Sequence, residues 1–165
     1  MLSIAVREGD LAPDLFDPGT AGDETYGNTL NSAHISADDS VAFHADLIQN
    51  VPTEYRSALY IGADAVAQEG TSLENFVGGD VYGGFVTLSG NTFSSSSDGS
   101  AWIVEADLDP DIIGNIQAVV VTENVEIREG DALPEVNGTV DDVFAVHMSG
   151  NGSWFARGGT DADVE

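Results

Sequence analysis

The chain has 165 residues, of which 29 are acidic and only four are basic, so its net charge is −25. A surface this acidic repels nucleic acid and anionic membranes, and we expect neither as a partner. Cysteine is absent, which excludes disulfides and thiolate metal sites. The 42% hydrophobic content is typical of a globular protein rather than a disordered one.

The N-terminal segment has neither a basic nor an apolar region of the kind that a signal peptide needs, and no apolar run approaches the length of a membrane span. We therefore predict no signal peptide in the chain as given and no membrane insertion. Like charges repel less where salt screens them, so the composition favours a saline or divalent-rich setting. The outside of a cell fits this expectation, and a salt-adapted cytoplasm fits it too.

Short alternating or β-branched runs follow one another along the chain, separated by segments rich in Gly, Ser, Asp and Pro. The clearest run places Phe43 on one strand face and His44 on the other, and we predict that His44 is exposed to solvent. Only residues 109–115 are compatible with a helical turn, so the chain is predicted to be all-β. The predicted strands cover residues 3–8, 30–36, 40–48, 57–62, 64–69, 80–88, 100–107, 116–122, 124–129, 142–149 and 153–157.

The sequence repeats with a period of about 60 residues. Glu-Gly pairs at residues 8–9, 69–70 and 129–130 mark the period, and residues 57–71 align with 117–131 without a gap. Self-similarity at a fixed spacing is typical of a repeat architecture. We therefore predict that the residues which recur in each repeat are structural.

A second recurring block lies at residues 36–40, 96–100 and 149–153, and each copy precedes a short apolar run. Asp-Gly and Asn-Gly before alternating residues predict tight hairpin turns, which require positive φ. The predicted positive-φ residues are Gly99, Gly152 and, where Asp replaces Gly, Asp39. A Ca²⁺-binding loop is the alternative interpretation, although each turn supplies at most one or two carboxylates.

Each repeat contains four predicted antiparallel strands, the size and content of a β-propeller blade. We predict a single repeat array over residues 1–165, with approximate units at 1–56 (lacking its first strand), 57–115 and 116–165. Nearly three blades do not close a ring, since propellers typically use four to eight. The expectation is an incomplete propeller: part of a longer protein, one member of an assembly of copies, or an open or sandwich-like array.

Four segments carry a resemblance to a known family: residues 7–13, 36–43, 58–70 and 128–134. Taken in chain order, these four segments resemble the pattern of secreted bacterial tandem-repeat proteins that have an Asn-x-x-Gly-x-x-Ala-Phe signature. The resemblance covers nearly the whole chain and implies a β-propeller-like surface or extracellular protein. Ser stands at the signature's Asn positions, and only Ala42 and Phe43 keep its final pair. The family supplies no catalytic residues to carry over.

Candidate catalytic residues are few. His34 and His147 occupy equivalent repeat positions, which indicates structural roles. Without Cys, a His-Glu-x-x-His motif or a His pair at helical spacing, a zinc site is not expected. A Ser-His-Asp triad stays open because triads assemble from distant residues, but no Gly-x-Ser-x-Gly elbow occurs. Pairs of acids suited to glycoside hydrolysis arise by chance among so many carboxylates. We assign no catalytic residue and no certain cofactor.

Two acidic segments are candidates for Ca²⁺ binding, because alternating carboxylates in turn-prone sequence supply the oxygen ligands that Ca²⁺ needs. A solvated acidic loop is the alternative interpretation. The candidate ligands are Asp107, Asp109, Asp111, Asp161 and Asp163.

Three functions are compatible with these patterns. The first is a non-enzymatic extracellular or cell-surface repeat module of β-propeller type, which binds a protein or glycan ligand or serves a structural role. The second is a self-assembling subunit that completes a ring or filament through unpaired strand edges. The third is a hydrolase on an acidic propeller.

Overall fold

The computed structural model describes residues 6–13, 15, 24–35, 39–48, 51–52, 56–71, 82–85, 93–108 and 116–161. Within these ranges the chain forms twelve β-strands and no helix, which confirms the all-β prediction. The same ranges accordingly hold no helix of the length and apolarity that crossing a membrane requires. In chain order the strands are β1 (Thr25–Ile35), β2 (Val41–Ile48), β3 (Ser57–Ile61), β4 (Asp64–Gln68), β5 (Tyr82–Phe85), β6 (Phe93–Ser95), β7 (Trp102–Leu108), β8 (Ile116–Val121), β9 (Asn124–Arg128), β10 (Ala132–Leu133), β11 (Gly138–Met148) and β12 (Trp154–Thr160).

The strands form three antiparallel sheets that follow one another along the chain. Sheet 1 has the order β1-β2-β3-β4. Sheet 2 has the order β5-β7-β8-β9, and β6 also pairs with β7. Sheet 3 has the order β10-β11-β12. Neighbouring strands are mostly consecutive in sequence, as expected where short turns connect antiparallel strands.

The Ser-rich turns join the same two strands in each sheet: β1 to β2, β6 to β7 and β11 to β12. Asp39, Gly99 and Gly152 have φ values of 67°, 68° and 82°, which confirms the predicted positive-φ positions. The turn before β7 is held by Asp98, whose Oδ1 accepts hydrogen bonds from the hydroxyls of Ser96 and Ser100 at 2.8 and 2.7 Å. These bonds, the one from Ser100 first, lower the pKa of Asp98 to about 2.

The Glu-Gly pairs form a second set of equivalent turns. Gly9, Gly70 and Gly130 have φ values of 83°, 79° and 86°. The N–H of Gly9 donates to the Tyr26 carbonyl at 2.9 Å, and that of Gly130 donates to the Val140 carbonyl at 2.8 Å. The turns at Gly9 and Gly130 therefore bind the chain to the first long strand of the sheet that follows.

Sheet 2 lies between the other two sheets, because each of its faces packs on a different neighbour. Trp102 and Val104 on one face pack with Leu59 of sheet 1. Ile103, on the opposite face of the same strand, packs with Val143 and Val146 of sheet 3. Burial of side chains of this size contributes roughly 1.5–3 kcal/mol each, so the two interfaces hold the stack together.

The face of sheet 1 that points away from sheet 2 carries a third apolar cluster. Its centre is aromatic: the Phe43 and Tyr60 rings stack at 5.2 Å, and Tyr26 meets Tyr60 edge-on at 5.3 Å. The N-terminal segment partly covers this face, with Val6 and Leu15 packed on the cluster.

The chain forms the antiparallel sheets that a propeller requires, but the described residues do not show propeller blades. Consecutive antiparallel strands form three sheets, and no closed sheet occurs among the described residues. Sheet 1 takes β1 and β2 from before residue 57 and β3 and β4 from after it, and sheet 2 likewise spans residue 116. The sheets are therefore offset by two strands from the units chosen in the sequence.

Candidate functional site

The recurring histidine of sheet 1 bonds across an interface between sheets. His34 on β1 reaches β6 of sheet 2, where its Nε2 accepts the Ser95 N–H at 3.1 Å and lies 2.8 Å from the Ser95 hydroxyl. Its ring also meets Phe93 edge-on at 5.7 Å. These contacts give His34 a structural part in joining two sheets.

His44 is buried, so the prediction that it is exposed to solvent is wrong. Both faces of β2 are packed: Phe43 faces the aromatic cluster, and the opposite face, which carries His44, is covered by sheet 2. His44 Nε2 lies 2.6 Å from the Ser57 hydroxyl, and burial lowers the pKa of the imidazole although Asp46 opposes this effect. A Ser-His contact of this length has the geometry of an activated nucleophile, but here it lies beneath a neighbouring sheet.

A group of carboxylates lies where sheet 2 meets sheet 3, and we call it the interface acids: Glu105, Asp107, Glu129 and Asp142. Glu105 on β7 is only 2% exposed. Burial, followed by repulsion from Asp142 and Asp107, raises the pKa of Glu105 to about 7. Burial and then Glu129 also raise the pKa of Asp107. The arrangement holds a proton near neutral pH, which an exposed carboxyl does not.

Gln117 on β8 links sheet 2 to sheet 3 and contacts one of the interface acids, Glu129. Its side-chain Oε1 accepts the Val143 N–H of β11 at 3.0 Å. Its own N–H donates to Glu129 Oε2 at 3.3 Å. In the described part of the chain, no three His, Asp or Glu side chains are grouped closely enough to hold a metal ion. The raised pKa of Glu105 suits the interface acids to proton uptake and release.

The predicted Ca²⁺ ligands are not brought together where the structure describes them. Asp107 is one of the interface acids. Asp161 is exposed and accepts the Thr139 N–H through Oδ1, a bond that lowers its pKa and closes the end of sheet 3. Asp109, Asp111 and Asp163 lie outside the described residues, so a Ca²⁺ site that includes them stays a prediction.

An exposed aromatic surface lies on the side of sheet 3 away from sheet 2. We call it the outer face of sheet 3, formed by Phe144, His147, Phe155 and Arg157. Phe155 is 60% exposed and Phe144 is 51% exposed. The His147 ring lies against Phe155 with centroids 5.5 Å apart, and Phe144 lies over Gly159 of β12. Such side chains are normally buried, so this exposed group is a candidate for an interaction site.

Comparisons with known proteins found no match to this chain among family models, curated proteins or solved structures.

Two features of the structure escaped the sequence reasoning. Glu105 stands within an apolar run on β7, and an acid at a core position of an alternating strand is a signal for a buried titratable group. Phe155 follows Trp154 directly after a turn, and adjacent aromatic residues on one strand must point to opposite faces. That rule indicates that both faces of β12 carry aromatic side chains.

Proposed function

We propose that the chain is a non-enzymatic repeat module, built of propeller-type blades and located outside the cell, that binds a protein or glycan through the outer face of sheet 3. The blade assignment is supported by three consecutive antiparallel sheets joined by equivalent turns. The extracellular setting is supported by the net charge of −25 and by the resemblance to secreted repeat proteins.

One observation carries the binding role. Phe144 and Phe155 are both exposed on the outer face of sheet 3, one over Gly159 and the other against His147, on a protein whose surface is otherwise strongly acidic. Aromatic rings pair a large apolar area with few rotatable bonds, which suits them to bind sugars and apolar side chains. Arg157 is exposed two residues after Phe155 on β12, so strand alternation places this cation on the same face, and Arg is enriched with aromatics in interfaces.

The residues suited to catalysis support a non-enzymatic role. His44 with Ser57 and Glu105 with its acidic neighbours are the best catalytic constellations in the described residues. His44 is only 3% exposed and Glu105 only 2% exposed, so the titratable group of each has little access to a substrate. An enzyme needs its catalytic groups open to substrate in a cleft.

The binding role is tested by probing a glycan array and a panel of purified polysaccharides with the labelled protein. We expect retention that Phe155→Ser abolishes and that Val136→Ser leaves intact, since Val136 is half-exposed on the turn after β10 and outside the outer face. Retention that survives Phe155→Ser would contradict the assigned surface. Turnover of glycosides or esters that Glu105→Gln removes would contradict the non-enzymatic role.

The location is tested in the source cells by separating medium, surface and cytosol and detecting the protein with an antibody. We expect the signal in the medium or at the surface. A signal confined to the cytosol would contradict the extracellular assignment.

A further inference from the structure

We infer that the outer face of sheet 3 docks on sheet 1 of a second copy of this chain, so that copies associate head to tail. The inference rests on the binding role proposed for the outer face and names one partner for it. Three observations support this docking: the internal repeat, the surfaces that are buried in each sheet, and the shape of sheet 1.

One residue in each of the three sheets occupies an equivalent position. Ala42 on β2 pairs with Ile61, and Ile103 on β7 pairs with Val121, each at the start of the same hairpin. Phe155 is likewise the second residue of the strand that follows the Ser-rich turn in sheet 3. Each of them also pairs with the residue two positions before its Ser-rich block, which is His34, Ser94 or His147. The three residues are therefore equivalent by strand pairing, although Ile103 lies one residue further from its block.

The equivalent position is covered in sheets 1 and 2 but not in sheet 3. Ala42 is fully buried against sheet 2, and Ile103 is fully buried against sheet 3. Phe155, at the same position, is 60% exposed. In sheets 1 and 2 this face thus forms an interface with the following sheet. In sheet 3 the position holds Phe, which is larger than Ala or Ile, and no further sheet covers it among the described residues.

The histidines of sheets 1 and 3 differ in the same way: one contacts a neighbouring sheet and the other is exposed. His34 on β1 binds the N–H of Ser95 on the neighbouring sheet. His147 has the same place on β11, two residues before the turn, and lies exposed against Phe155. The outer face of sheet 3 therefore carries both the apolar residue and the histidine that join one sheet to the next elsewhere in the chain.

The outer face of sheet 3 has a candidate docking surface on sheet 1. The face of sheet 1 away from sheet 2 holds a cavity of about 390 Å³, lined by Val6, Leu11, Pro13, Tyr26, Val41 and Phe43. Leu11 and Ile35, at its rim and beside Val41, are 65% and 74% exposed. We call this the receiving face of sheet 1.

The receiving face is equivalent to a surface that already accepts a sheet. Tyr26 has the position of Val140, because each carbonyl accepts the N–H of the Glu-Gly turn. Val140 packs against Ile103 of sheet 2 within the chain. Tyr26 is itself only 4% exposed, so a second copy would seat Phe155 against the exposed rim formed by Leu11 and Ile35, on the face whose equivalent forms an interface within the chain. Since the two surfaces differ, the contact is heterologous and extends from copy to copy.

Charge sets the condition under which the contact forms. Two copies with a net charge of −25 each repel one another strongly at low ionic strength. In about 1 M NaCl the Debye length falls to about 3 Å, so the repulsion is largely screened while apolar contact is retained. Association is therefore expected to strengthen with salt.

The experiment measures mass by sedimentation equilibrium in about 1 M NaCl, from micromolar to millimolar protein. We expect the wild-type mass to rise beyond twice 17.2 kDa. Phe155→Ser damages the outer face and Ile35→Ser damages the receiving face, and each should weaken association by at least about tenfold. Val136→Ser, an equally exposed apolar residue on neither face, should associate like the wild type.

A mixture of the two damaged variants decides the geometry. Each variant keeps one intact surface, so an equimolar mixture should form dimers of twice 17.2 kDa and nothing larger. Dimers of Ile35→Ser alone would show a two-fold contact between outer faces and overturn the inference, as would a wild type that stays monomeric throughout. Glycan retention that depends on Phe155 would still support the binding role in either case. Phe144→Ser and Leu11→Ser replace any variant whose thermal melt shows misfolding.

Discussion

Replacing Glu105 by Gln should remove a pH-dependent loss of stability, because Glu105 is buried between sheets 2 and 3 beside other acids. Its pKa rises from 4.5 to about 7 on folding. A raised carboxyl pKa means that the folded protein holds a proton that the unfolded chain has released. Stability that is present below pH 4.5 is therefore lost as the pH rises toward 7.

The size of the loss follows from the shift. The difference between 7 and 4.5, at about 1.4 kcal/mol for each pH unit, gives about 3 kcal/mol at and above neutral pH. Glu105→Gln keeps the shape of the protonated side chain and cannot ionise. At pH 8 it should exceed the wild type in free energy of unfolding by up to about 3 kcal/mol, or by roughly 6–12 °C in melting temperature.

The assay is urea unfolding at a series of pH values from 4.5 to 8, in high salt that screens the general charge repulsion. Glu126→Gln is the matched control, because Glu126 is exposed on the neighbouring strand β9. The wild type and the control should lose more stability across this range than Glu105→Gln, in which Asp107 is the interface acid that keeps a raised pKa. Equal slopes for all three proteins, or a less stable Glu105→Gln at pH 8, would refute the reasoning.

Three further substitutions test the stack and its turns by thermal or urea unfolding. Ile103→Ala opens a cavity between sheets 2 and 3 and should cost about 2–4 kcal/mol, whereas Val136→Ala should change little; equal effects would argue against this interface. His34→Ala leaves the Ser95 N–H without its histidine acceptor and should cost about 1–3 kcal/mol, while His147→Ala should be nearly neutral; the reverse order would contradict the assigned contacts. Gly130→Ala should cost about 1 kcal/mol from its φ of 86° alone, since nothing lies near the added Cβ; an unchanged melting temperature would argue against the turn.

Local features of the fold were predictable from the sequence because they depend on few residues. Asp39, Gly99 and Gly152 take the positive φ that the hairpin turns required. The Glu-Gly pairs recur as equivalent turns, and the alternating runs became strands. These features follow from backbone geometry within a few positions, which propensities describe well.

The stacking of the sheets was less accessible. Alternation shows that β2 has two faces, but it does not show that both are covered, so His44 was wrongly placed in solvent. The same gap hid Glu105, since its burial depends on β11, which lies more than thirty residues along the chain. Which face of which sheet meets another is a long-range property that strand periodicity does not contain.

The most direct measurement of the account is hydroxyl-radical footprinting, which reports the solvent access of individual apolar side chains, at dilute and at associating concentrations in high salt. Phe144 and Phe155 on the outer face, together with Leu11 and Ile35 on the receiving face, should lose labelling as concentration rises, while Val136 keeps it. Protection of sheet 3 alone, or of neither face, would contradict the head-to-tail contact.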